Sequence, residues 1–159
     1  MHTTPSKRMG IMMTPPWRRW FSNPDGCVKS SGCLPVTFYK NVNQLPDFED
    51  YNMTGRTYRY FKGEPLFPFG HGLSYTTFAY GEIQTPASAK VGETIKISVP
   101  VTNSGTMDGD EIIQLYLKKQ DDEEGPIKTL RAYKRIHIPA GQTIQVELEL
   151  APKQLEWWD

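Results

Sequence analysis

The chain has 159 residues, and its 18 basic and 18 acidic side chains leave no net charge. A length of this order holds one domain with appendages or two small pieces, and it is too short for a large barrel enzyme. Charge balance with no lysine-rich or arginine-rich tract along an element argues against a nucleic-acid partner, and no run reaches the roughly 18 apolar residues of a membrane span.

Residues 1–31 mix methionines, Pro15-Pro16, the cluster Trp17-Arg18-Arg19-Trp20 and the breaker Asn23-Pro24-Asp25-Gly26, without helical or strand period. They read as an unstructured or non-native leader. The leader lacks the continuous apolar core of a secretion signal, and the compartment is not legible from it. Arginines beside tryptophans suit a membrane surface, but no amphipathic repeat follows them. Cys27 and Cys33 lie six apart, which is neither redox-pair nor metal-ligand spacing. Whether they pair stays open.

Between residues 34 and 61, short aromatic and β-branched runs alternate with Pro and Asn, and seven residues are Tyr or Phe. The pattern predicts a strand over 36–39 and then an extended loop. Rings of that size contribute most when buried, so the stretch is built to be covered. The acids Asp47, Glu49 and Asp50 in that loop are expected to face solvent.

Residues 66–78 read LFPFGHGLSYTTF, which brings His71 and Ser74 close together among glycines. A nucleophile elbow needs G-x-S-x-G between a strand and a helix, and here Ser74 leads into Tyr-Thr-Thr and a β region. The nearest acids that could orient a histidine are Glu64 and Glu82, so the triad logic fails as well. Glycines that admit positive φ and prolines that fix φ instead make a stiff connector.

The last third alternates cleanly. Strands are predicted over 78–83, 94–101, 111–118, 132–138 and 143–150, with Ile113, Leu115 and Leu117 on one face. Thr94, Lys96, Ser98, Thr143, Gln145, Glu147 and Glu149 point outward. Pro100 predicts an edge position or a bulge. The acidic run Asp121-Asp122-Glu123-Glu124 lacks the spaced ligands of a calcium loop and reads as a solvated hairpin tip. Five strands without an intervening helix predict an antiparallel sandwich.

Three strings, GCLPVTFYK (32–40), GRTYRYF (55–61) and PLFPFGHGLSYT (65–76), resemble the C-terminal part of glycoside hydrolase family 3, the β-glucosidases, β-xylosidases and their relatives. VTNSG (101–105), Gly109-Asp110-Glu111, Gln114-Leu115-Tyr116 and KTLRAYKR (128–135) resemble the fibronectin type III-like domain of those enzymes. The resemblance covers roughly residues 32–159. It implies a mainly β chain: an incomplete fibronectin type III-like, immunoglobulin-like antiparallel sandwich over 78–159, preceded over 32–77 by an irregular tail of an α/β sandwich domain. The family's domain continues into two more strands beyond this pattern.

The family's retaining mechanism uses an Asp nucleophile on a (β/α)8 barrel and a Glu acid/base on the α/β domain, with the two carboxyls about 5 to 5.5 Å apart. No segment here resembles the nucleophile motif, so the resemblance implies no catalytic, cofactor-binding or metal residue in this chain and no cofactor. Its implied partners are the barrel and α/β domains, with oligosaccharide reached only through them. Intact bacterial relatives are often periplasmic or secreted. Arg56, Tyr58, Arg59, Tyr60, Phe67, Phe69, His71 and Tyr75 are the candidates for interdomain packing or for the rim of a sugar cleft. An independent carbohydrate-binding or adhesive module, marked by an exposed aromatic row on one sandwich face, is the alternative. Complementation of a separately encoded catalytic chain is a third reading. Asn52-Met53-Thr54 is formally a glycosylation sequon, relevant only in a eukaryotic secretory pathway.

Overall fold

A computed structural model describes residues 9–12, 32–120 and 122–156. Within them run the strands β1 (Met9–Met12), β2 (Phe78–Tyr80), β3 (Ile95–Asn103), β4 (Gly109–Lys119), β5 (Thr129–Ile138) and β6 (Thr143–Leu150), together with one helical turn, α1 (Thr57–Tyr60). All pairings are antiparallel, in two three-stranded sheets of order β1-β4-β5 and β2-β3-β6.

The period of two dictates which side chains meet. Every second residue of β3 (Ile97, Val99, Val101), β4 (Ile113, Leu115, Leu117) and β6 (Val146, Leu148, Leu150) is buried between the sheets, and Ile138 of β5 completes the core. Each such side chain contributes about 1.5 to 3 kcal/mol on burial. The predicted outward residues on β3 and β6 do face away from the core. Lys96 sits opposite Glu149 in register and forms a 3.5 Å ion pair with it.

Three sequence expectations need correction. The leader was expected to be unstructured or non-native, yet within it Met9–Met12 is a strand that pairs with Tyr116–Lys119 of β4. The edge of β4 that faces away from β5 offers unpaired backbone groups, and a short segment satisfies them whatever its own periodicity. The rest of the leader, with Cys27, lies outside the described residues, as does Asp121 of the acidic run. The strand expected over 36–39 is reduced to an isolated bridge, Phe38 to Phe67.

Pro100, expected at an edge or bulge, lies in the central strand of its sheet. It is tolerated because β2 pairs only as far as Val101. The chain beyond it needs no donor from Pro100, since Gly81 N–H donates to Pro100 O at 2.8 Å.

One buried amide helps tie the sandwich to the residues before it. Asn103 is fully buried, and its Nδ2 donates to the carbonyls of Met107 (2.8 Å) and Ile138 (2.9 Å). Its Oδ1 accepts from the Thr76 hydroxyl (2.6 Å) and from Gly105 N–H (3.1 Å).

Candidate functional site

Residues 32–40 and 66–72 form an irregular antiparallel ribbon. Leu34 N–H donates to His71 O (2.7 Å), Gly70 N–H to Leu34 O (2.8 Å) and Phe38 N–H to Phe67 O (2.8 Å). The ribbon lies on the outer face of β4 because position 70 is glycine: its φ is +82°, and a Cβ there would run into the Gln114 amide oxygen and the Tyr116 hydroxyl. Tyr116 is fully buried there, and its hydroxyl donates to Gln114 Oε1 at 2.8 Å.

Tyr58 of α1 stacks on Phe69 at 4.1 Å, and both rings meet Tyr116 edge-on at 6.0 and 6.5 Å. Lys128 Nζ sits 4.5 Å above the Tyr116 ring. Burial pushes the Tyr116 hydroxyl above its ordinary pKa and the Lys128 ammonium below its own. The loop after β4 and the start of β5 complete the clamp: Ile127 N–H donates to Arg59 O (2.6 Å) and Leu130 N–H to Tyr58 Oη (3.2 Å).

The eight candidate residues divide by role. Tyr58 and Phe69 are the stacked pair on Tyr116. Phe67 meets Phe38 edge-on at 6.3 Å and His71 at 5.1 Å. The His71 ring is not engaged with Ser74: its Nδ1 is buried without a partner, while Ser74 Oγ accepts from Thr76 N–H at 3.4 Å. Arg56 spends its guanidinium on the carbonyls of Asn52 (3.1 Å), Asp47 (3.2 Å) and Asp50.

Arg59 approaches the Tyr60 ring at 5.9 Å, and its Nε is buried without a hydrogen-bond partner. Tyr75 is the most exposed of the eight, at 44%. The turn that presents Tyr58 is held by an unusual device. Thr57 adopts φ 55°, a conformation disfavoured for a β-branched residue, and its N–H donates to Tyr39 Oη at 2.8 Å.

Sequence reasoning overlooked two polar groupings. Glu111 is buried on the core side of β4 and accepts from the Tyr80 hydroxyl at 2.5 Å. Burial raises both groups above their ordinary pKa values. The signal was present, since an acid stands where the alternation through Ile113 and Leu115 requires an inward side chain. On the opposite face of β4, Asp110 receives Arg135 Nε (3.0 Å) and Nη2 (2.6 Å) on one oxygen and lies 2.7 Å from His137 Nδ1 on the other. The hydrogen bonds from His137 and then Arg135 hold the Asp110 carboxyl below its ordinary pKa. Among the described residues no three metal-ligating side chains cluster, and no helix is long and apolar enough to cross a membrane.

Residues 111–159 match the fibronectin type III-like domain family. Over 134 residues the chain is 52% identical to a xylan 1,4-beta-xylosidase of Xylanibacter ruminicola, a match that covers 84% of this chain and 15% of that protein. A beta-xylosidase of Formosa agariphila is 37% identical over 82% of this chain and 19% of its own length. A solved beta-glucosidase structure from Erythrobacter marinus superposes with TM-score 0.69 at 38% identity, over 84% of this chain and 18% of that one. The chain is homologous to the C-terminal region of glycoside hydrolase family 3.

The chain therefore spans under a fifth of the length of these two curated family 3 relatives. The domain match begins on β4, yet the family 3 matches cover at least four-fifths of the chain, so they extend into the aromatic ribbon as well. The similarity therefore includes part of residues 32–77 as well as the sandwich.

Proposed function

We propose that this chain is the packing and support region of a family 3 enzyme that hydrolyses terminal non-reducing β-xylosyl or β-glucosyl residues with retention, and that the chain alone turns over no glycoside. The observation that carries this reading is a two-sided aromatic layer. Its inner side is docked on β4 through Tyr58, Phe69 and Tyr116. Of the 13 exposed large hydrophobic residues among those described, six lie at positions 36–45 and 66–67, Val36, Phe38, Leu66 and Phe67 among them. Apolar surface concentrated in this way marks an interaction face, and the barrel and α/β domains of the parent enzyme are its occupants. The carboxyls of β4 support a non-catalytic role, since Glu111 is committed to Tyr80 and Asp110 to Arg135 and His137 on opposite faces of the strand.

Two measurements test the reading. The purified chain is expected to release no chromophore from aryl β-xyloside or β-glucoside, and measurable release overturns its inactivity. This chain, grafted in place of the matching region of the Xylanibacter ruminicola xylosidase, is expected to preserve hydrolysis and thermal stability. A graft that folds and leaves hydrolysis intact while Phe38 and Phe67 stay accessible to limited proteolysis and labelling overturns the packing role.

A further inference from the structure

Arg56, Tyr58, Arg59 and Tyr60 are absorbed in bracing and packing, whereas Phe48 and Tyr51, three residues apart on the preceding loop, are 93% and 91% exposed. Rings so exposed normally sit on pliable backbone, but this loop is held from within. Asp47 Oδ1 accepts from Glu49 N–H (3.2 Å), Asp50 Oδ1 accepts from Asn52 N–H (2.9 Å) and Nδ2 (2.7 Å), and Asp50 N–H donates to Asp47 O (3.1 Å). The Arg56 guanidinium gathers three of the loop carbonyls. The loop closes at Gly55, φ +72°.

We propose that the loop of residues 46–53 is a contact site for β-linked pyranosides, with Phe48 and Tyr51 as stacking surfaces and the exposed Glu49 as an acceptor for sugar hydroxyls. The choice of sugar class rests on the family 3 reading above; the choice of site rests on the loop itself. Three features favour a sugar over a macromolecule. The acids interleaved with the rings, Asp47, Glu49 and Asp50, repel phosphate, which disfavours nucleic acid and anionic lipid. A protein partner would desolvate Glu49, and interface cores are depleted of such carboxylates. A β-pyranoside instead offers apolar C–H faces to the rings and hydroxyl donors to the carboxylate, and a loop already in shape incurs little ordering cost on binding.

The test is an NMR titration of the isotope-labelled 159-residue chain with xylohexaose and with cellohexaose. Saturating shifts are expected at the amides of 46–56, with a Kd on the order of millimolar. Phe48→Ala and Tyr51→Ala should each weaken binding about tenfold, while Tyr51→Phe should retain it. Unchanged cross-peaks from β3, β4 and β6 certify the fold in each variant. Absence of saturating shifts with both oligosaccharides overturns the proposal, as does binding that persists in the double alanine variant. So does a loop whose rings prove necessary only for association with a catalytic-domain protein. If the graft into the xylosidase succeeds and the titration fails, the loop proposal alone is lost. If the titration succeeds and the graft fails, the packing role is lost and the sugar site stands.

Discussion

The sandwich and the aromatic layer are built by opposite strategies. The sandwich hides ten aliphatic side chains almost completely between its sheets and shows water a polar exterior. The layer over residues 32–77 stacks rings against one another and against Tyr116, and leaves its other side apolar and open. A period-two sequence makes a core that is complete by itself, whereas rings spaced by glycine and proline make a surface satisfied on one side.

The largest expected effect belongs to the self-contained half. Leu115 is fully buried at the centre of β4, so Leu115→Ala should cost about 3 kcal/mol from lost transfer energy and cavity formation, as read by denaturant unfolding. A cost below about 1 kcal/mol would mean that the sheets do not close on each other in solution. Next comes the joint between the halves. Asn103→Ala removes four hydrogen bonds and orphans the Met107 and Ile138 carbonyls and the Thr76 hydroxyl, which should cost about 2 to 3 kcal/mol. Hydrogen exchange should then show the ribbon opening before β3 and β6. Simultaneous opening of both would show that the comparison divides one cooperative unit.

The sandwich was legible because alternation encodes burial locally. The strand expected over 143–150 is Thr143–Leu150, and those expected over 94–101 and 111–118 differ from the structure by one or two residues at each end. The layer was less legible because its contacts are non-local. Nothing near Thr57 announces that Tyr39, 18 residues earlier, receives its N–H and fixes a positive φ. Likewise the pairing of Met9–Met12 is dictated by the free edge of β4, more than a hundred residues away. The candidate rings were recognised by residue type, but which of them pack and which face water depended on Gly70 and Tyr116. Phe48 and Tyr51 were counted among the seven rings built to be covered, yet among the described residues nothing covers them.

A third, smaller effect concerns pH. Burial raises the Glu111 carboxyl above its ordinary value of 4.5, so the native chain holds that proton more tightly than the unfolded one. Its contribution is therefore present below pH 4.5 and is lost as pH rises through the raised folded-state value. Asp110 acts oppositely: its contribution is present above its ordinary 3.8 and is lost as pH falls through the lowered folded-state value. Glu111→Gln keeps an acceptor for Tyr80 and should flatten the loss of stability above pH 4.5 in unfolding curves, leaving the acid limb due to Asp110 in place. A variant that retains the slope above pH 4.5 would assign it elsewhere and would detach β2 from the account of what holds β4.

The smallest expected effect separates two rings of the same layer. Phe48 is 93% exposed while Phe38, at 46%, leans on Phe67. A ring already in water has no burial energy to lose, so Phe48→Ala should move stability by no more than about 0.5 kcal/mol. Phe38→Ala should cost about 1 kcal/mol through its edge contact and partial burial. A Phe48→Ala cost nearer that of Phe38 would mean that the loop packs on the rest of the chain in solution. The ring would then be a structural element, unavailable to any ligand, and the layer would be closed on itself in the same sense as the sandwich. Near-neutrality, combined with loss of oligosaccharide binding, separates the two roles within one layer: Phe38 is kept for cohesion and Phe48 for contact.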